Sequence, residues 1–154
     1  MEKILIVYYS ISHLNTYNLL KNNLKGDNYI FFNVIKDNQE MINFDDFSKI
    51  ILASGIYFNK MGENLYNFIK INQKELLTKE VIFIFTSGIR INYYKLKIKK
   101  TLLEFGIESK TFGTKALDTY GPLKLFGGIN KKRPNKNDIK KLEDFLLEVG
   151  FLWD

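Results

Sequence analysis

Residues 4–9, Ile-Leu-Ile-Val-Tyr-Tyr, form an apolar run with no polar alternation, and the run stops abruptly at Ser10. A strand of this kind must be covered on both faces, which places it in a parallel sheet with helices packed on each side. Ser10, Ile11, Ser12, His13, Leu14, Asn15 and Thr16 follow before an apolar stripe at helical spacing begins. The stretch therefore reads as strand, loop and helix start. In open α/β sheets ligands bind beyond the carboxyl ends of strands, where a helix N-terminus presents free N–H groups and the positive end of its dipole. With Ser10, Ser12, Asn15 and Thr16 adding hydroxyl and amide donors, such a loop can hold a phosphate without a lysine. The same residue types also serve as plain turn and cap residues. No glycine follows the strand until Gly26, so the glycine-rich dinucleotide fingerprint and the Walker pattern are both absent.

The rest of the chain alternates in the same way. Tyr17, Leu20 and Leu24 put one stripe on a short helix over 16–24 that Gly26 ends, and residues 29–35 read as a second strand. A polar connection over 36–46 with room for a helical turn leads to a third strand at 50–53, extended at its start by Phe47 and Lys49 and ending in Ser54-Gly55. Leu65, Phe68 and Ile69 mark a helix over 62–72, and 81–85 is a fully apolar strand running into Thr86-Ser87-Gly88. A longer helix over 91–105 turns Tyr94, Ile98, Leu102 and Phe105 inward, and the less apolar strand at 109–114 belongs at an edge. The last helix, over 135–149, opens on Asn135 with Asp138 three residues on and buries Ile139, Leu142, Phe145 and Val149. These elements predict an α/β doubly wound three-layer sandwich with a five-stranded parallel sheet of order 2-1-3-4-5. That order gathers the loops at 10–16, 54–60 and 86–90 at one edge.

Composition narrows the chemistry. At 154 residues and 45% apolar content the chain is sized for one domain, residues 1–154, with one site. It has no cysteine, which excludes disulfides, thiolate nucleophiles, iron–sulfur clusters and thiolate zinc sites. Redox chemistry would need a bound cofactor. No apolar run approaches the roughly 20 residues that span a bilayer, and no basic leader precedes the first strand, so a cytoplasmic protein with no membrane attachment is expected. The net charge of +6 favours acidic partners or anionic ligands. Its lysines are scattered: Lys95, Lys97, Lys99 and Lys100 suit the solvated side of a helix, and Lys131, Lys132 and Arg133 sit beside a proline in a loop. Without a continuous basic face or stacking platforms, nucleic acid is not an expected partner.

Taken together, the loops after these strands make the chain resemble the flavodoxin family, in particular its short members from anaerobic bacteria and archaea, over nearly the whole length. Tyr8 through Thr16 is similar to the family's phosphate loop, in which hydroxyl residues and a Gly-Asn-Thr ending wrap the phosphate of FMN. Ser54, Gly55, Ile56, Tyr57, Phe58, Asn59 and Lys60 resemble the loop that lies along the isoalloxazine ring, and Thr86, Ser87 and Gly88 the loop that closes on the pyrimidine end. Residues 118–128, followed by Arg133-Pro134-Asn135, resemble a C-terminal loop of that subgroup.

The resemblance implies FMN as cofactor, held by Ser10, Ile11, Ser12, His13, Leu14, Asn15 and Thr16 at the phosphate and by Ser54 to Asn59 and Thr86 to Gly88 at the ring. It implies electron transfer to or from a redox partner protein or a small electron acceptor, with no catalytic side chain and no metal, the flavin carrying the electrons. Two other readings stand beside it: a flavodoxin-fold interaction module that has lost FMN, and a flavin-dependent NAD(P)H oxidoreductase. Leu14 stands where the family loop usually has glycine, and Asn59 where glycine is frequent. The charge differs too, since electron-carrying flavodoxins are typically acidic. His13 reads either as a phosphate donor or as a solvent-facing loop residue, Tyr57 as a ring-stacking residue or a lid on the following helix, and Trp153 as C-terminal packing.

Overall fold

The computed structural model describes residues 2–119 and 121–153. Strands β1 (Lys3–Tyr9), β2 (Tyr29–Asn33), β3 (Phe47–Tyr57), β5 (Glu80–Ser87) and β6 (Lys110–Lys115) form a parallel sheet in the order β2-β1-β3-β5-β6. The short β4 (Lys60–Met61) pairs antiparallel with the end of β3. With that added hairpin strand set aside, the order is the 2-1-3-4-5 arrangement expected, and β6 lies at an edge.

Strand periodicity sorts the core into two layers. Leu5 and Val7 of β1, Ile50 and Leu52 of β3, and Phe83 and Phe85 of β5 pack against α2 (Glu63–Ile71) and α4 (Ile91–Glu104) through Phe68, Ile69, Tyr94, Ile98 and Leu102. Their neighbours Ile4, Ile6, Ile51, Ala53, Ile82 and Ile84 face α1 (Asn15–Asn23) and α5 (Lys136–Glu148) through Leu19, Leu20, Leu142 and Leu146. This two-sided burial is why the central strands carry no polar alternation.

Two stripes differ from the sequence reading. In α1 the buried face is Thr16, Leu19 and Leu20, with Tyr17 turned half out, where its ring meets Tyr8 and Phe31. In α5 the buried positions are Asp138, Leu142 and Leu146, and Ile139 and Phe145 flank the core. The polar connection after β2 holds two 3-10 turns, Gln39–Met41 and Phe44–Asp46, each opened by an asparagine side chain that accepts a backbone N–H. A short α3 (Gln73–Leu76) extends the segment after α2, and a 3-10 helix covers Gly121–Phe126. Trp153 lies near the amino ends of the strands, its ring 6.3 Å from that of Tyr29 and 5.5 Å from Lys49 Nζ, away from the loops at the carboxyl edge.

Candidate functional site

β1, β3 and β5 lie side by side, so the segments that follow them share one edge of the sheet. The first segment turns into α1 through two left-handed residues, Ser12 at φ 55° and Leu14 at φ 53°. Leu14 is the N-cap of α1 and its side chain is half exposed. A left-handed non-glycine residue costs roughly 1–2 kcal/mol, so the fold holds leucine in the conformation a glycine adopts freely. The opening turn of α1 has no intrahelical acceptors for its N–H groups, and Ser10 Oγ takes that of Tyr17 at 3.2 Å. Among the described residues no acceptor takes the Asn15 and Thr16 N–H groups, which lie at the positive end of the helix.

The second segment is strand for longer than its sequence implied. Ser54 and Gly55 still pair in the sheet, and Ile56 and Tyr57 pair with Met61 and Lys60. Only Phe58 and Asn59 form the turn, at φ 50° and 65°, the two positive values that a two-residue type I′ hairpin requires. The tip is tied to α4: the Tyr94 hydroxyl donates to Asn59 Oδ1 and Lys97 Nζ to the Asn59 carbonyl, both at 2.6 Å. Lys97 therefore braces the hairpin instead of simply facing solvent. Phe58 is 78% exposed at this tip.

Tyr57 leaves the hairpin and reaches the first loop. Its hydroxyl accepts the Ile11 N–H at 3.0 Å, its ring crosses over Gly55, where a Cβ would lie 2.6 Å from the phenol oxygen, and Tyr9 meets it edge-on. Burial pushes the Tyr57 phenol above its ordinary value, partly opposed by the bond to Ile11. The Tyr57 side chain thus bridges the hairpin and the first loop.

The remaining predicted residues knit the edge together. Thr16 Oγ1 and Thr86 Oγ1 are 2.8 Å apart and buried, joining α1 to the end of β5. Ser54, fully buried, accepts the Gly62 N–H at 2.9 Å, and Ser87 donates to the Ile89 carbonyl at 2.8 Å. Residues beyond β6 close over the loops from the other side. His13 Nε2 meets Thr119 Oγ1 at 2.8 Å, Asn15 Nδ2 donates to the Leu117 carbonyl at 2.9 Å, and Asn130 Nδ2 donates to the Gly88 carbonyl at 2.8 Å. Asp118 and Ile129 form an antiparallel bridge, and Gly88 lies so close to the Asp118 side chain that any Cβ there would strike it. Tyr120, part of the segment likened to a C-terminal loop, lies outside the described residues.

Below this strap, Arg133 pairs with the fully buried Asp138, which also takes the Thr114 hydroxyl at 2.9 Å and the Asn135 N–H at 2.8 Å. Burial alone would push the Asp138 carboxyl up; the bonds from Arg133, Asn135 and Thr114 outweigh it and hold the group below the ordinary carboxylate value. The capping pattern Asn135…Asp138 is readable in the sequence, but nothing local announces the arginine partner.

The flavodoxin domain profile matches residues 15–121. The chain belongs to the flavodoxin family. An uncharacterized protein of Methanocaldococcus jannaschii is 34% identical over 151 residues, covering 96% of this chain and 97% of its own. Among solved structures, oxidised flavodoxin 1 of Bacillus cereus superposes with a TM-score of 0.64 at 11% identity, covering 99% of this chain and 100% of the other. The Fusobacterium nucleatum flavodoxin bound to flavin mononucleotide gives 0.60 at 16%, covering 97% and 98%. Rubredoxin:oxygen oxidoreductase of Desulfovibrio gigas gives 0.65 at 12%, where the flavodoxin fold described here spans 97% of this chain and 35% of that larger one. At these identities the structures speak for the flavodoxin fold alone. Among the described residues no helix is long and apolar enough to cross a membrane, and no group of three or more His, Asp or Glu side chains is arranged to hold a metal ion.

Proposed function

We propose that the chain binds FMN along the carboxyl edge of β1, β3 and β5 and passes electrons to or from a protein partner or a small acceptor. The observation that carries this reading is the backbone at Leu14. At φ 53° the leucine holds the left-handed conformation that a glycine adopts freely, and it caps α1 in that conformation. The residues present fit a phosphate dianion: the opening turn of α1 supplies N–H groups, Ser12 adds a hydroxyl to the same loop, and left-handed residues such as Ser12 and Leu14 turn successive N–H groups toward a common point.

FMN, when bound, supplies the one- and two-electron chemistry. The chain binds the phosphate, orients the ring and limits water. Phe58 is an aromatic residue at a hairpin tip tied to α4 by Tyr94 and Lys97. The net charge of +6 suits an acidic partner and would slow encounter with a basic one. The flavin named in the Fusobacterium nucleatum structure supports this reading by analogy of fold.

A second reading, a flavin-free interaction module, is favoured by one specific observation. The phosphate-loop side chains are engaged within the protein, His13 with Thr119, Asn15 with Leu117 and Thr16 with Thr86, and the Ile11 N–H is already taken by Tyr57. Titrating flavin-stripped protein with FMN and following flavin fluorescence separates the two. Saturable one-to-one binding supports the flavoprotein; no binding at about 50 μM supports the module.

A further inference from the structure

A cavity of about 290 Å³ lies on the far side of the first loop, between α1 and the 131–134 turn that precedes α5. One wall is an amide stripe. Asn15, Asn18 and Asn22 recur at three- and four-residue spacing, so they share one face of α1; Asn18 and Asn22 are exposed there, Asn15 Nδ2 donates to the Leu117 carbonyl and Asn22 Nδ2 to the Asn18 carbonyl. The opposite wall carries Lys131, Lys132 and Arg133, and no carboxylate lines the cavity.

The charges on that wall are not equivalent. Arg133 is neutralised by the buried Asp138, whereas Lys131 and Lys132 form no ion pair among the described residues. Leu19 and Ile139 add apolar surface. A cavity with two ammonium groups that form no ion pair among the described residues, three amide oxygens that can accept, the Asn18 amide that can also donate, and an apolar floor is complementary to an anion carried on a body rich in nitrogen and hydroxyl groups. A bare phosphate would satisfy the lysines and leave the amide wall unused.

The geometry points to a second ligand site here, for a phosphorylated nucleoside whose phosphate meets Lys131 and Lys132 and whose base or sugar lies against Asn18 and Asn22. The site stands apart from the FMN reading: it needs neither the hairpin tip nor the N–H groups of the opening turn, although His13 and Asn15 border both regions.

Calorimetric titration of the purified full chain with AMP, adenosine and inorganic phosphate tests this, with and without a saturating excess of FMN. AMP is expected to bind one-to-one with a dissociation constant below about 1 mM, at least about tenfold tighter than either adenosine or phosphate. Lys131→Ala/Lys132→Ala should weaken AMP about tenfold or more while leaving the FMN titration unchanged. Asn18→Trp, which fills the cavity from an exposed helix position, should abolish AMP binding with the circular dichroism spectrum retained. AMP binding that survives both variants, AMP displaced by FMN, or no saturable AMP binding at about 5 mM overturns the proposal. Because AMP is read in flavin-free protein too, failure of FMN to bind leaves this test intact.

Discussion

The Tyr57 hydroxyl accepts the N–H of Ile11 at 3.0 Å, which fastens the hairpin after β3 to the loop after β1 across 46 residues of chain. The phenol oxygen thereby uses one N–H of the 10–16 loop. Tyr57→Phe should lower stability by about 1 kcal/mol in urea denaturation, the usual net worth of one such bond. It should leave FMN affinity equal or higher, because the Ile11 N–H becomes available to the ligand. A loss of FMN affinity beyond about tenfold would show that the phenol itself contacts the flavin.

Leu14 gives the second prediction. Leu14→Gly removes the left-handed penalty of roughly 1–2 kcal/mol but adds unfolded-chain entropy of about half that size. The net gain should be under about 1 kcal/mol, with FMN affinity within about threefold of the parent. Leu14→Ile places a β-branched residue in the same conformation, and both stability and FMN binding should fall. Thermal denaturation and fluorescence titration of the two variants read the contrast. Equal behaviour of glycine and isoleucine would mean that the φ of this residue does not govern the loop.

Thr16 and Thr86 share one buried hydroxyl pair at 2.8 Å. Removing one partner strands the other, so Thr16→Ala should cost about 1–3 kcal/mol of stability. Thr16→Val/Thr86→Val replaces both hydroxyls by methyls of similar shape and should recover most of that loss. A double-mutant cycle in urea measures the coupling.

Asp138 is expected to tie the acid stability of the fold to one buried carboxylate, and its variants test this. Its carboxyl is held below the ordinary value despite complete burial, because Arg133, Asn135 and Thr114 all bond to the charged form. The folded value lies below the unfolded one of about 3.9, so the contribution is fully present above that pH and is lost as pH falls through the folded value. Asp138→Asn, which leaves Arg133 without its counter-charge, should cost about 3 kcal/mol at neutral pH. It should also flatten the acid limb of a stability-against-pH curve. A variant with the parent's acid limb would assign that limb to other carboxylates.

The sheet order was readable because burial on both faces leaves continuous apolar strands, and 81–85 and 4–9 are such runs. The stripes were less secure. Tyr17 looks like a core position by spacing, yet Leu19 takes that place, since the helix can rotate until its smaller aliphatic residues meet the sheet. The hairpin at Phe58-Asn59 was hidden because it lacks the Asn-Gly or Asp-Gly pair that usually announces such a turn; its tip is held by Tyr94 and Lys97, more than thirty residues on. Within the candidate site, the loop segments were legible as polar interruptions after apolar strands. Their pairings, Ile11 with Tyr57 and His13 with Thr119, join residues distant in sequence, and no local pattern encodes them.

If the opening turn of α1 holds the phosphate of FMN, that phosphate must contribute to the affinity for the flavin. The measurement that tests it most directly is a pair of fluorescence titrations of flavin-stripped protein, one with FMN and one with riboflavin, which lacks the phosphate. FMN should bind tighter by about a hundredfold, the equivalent of about 2.7 kcal/mol from one to two charge-assisted hydrogen bonds and the helix terminus. Equal affinities for the two flavins, or no binding of either, would contradict it.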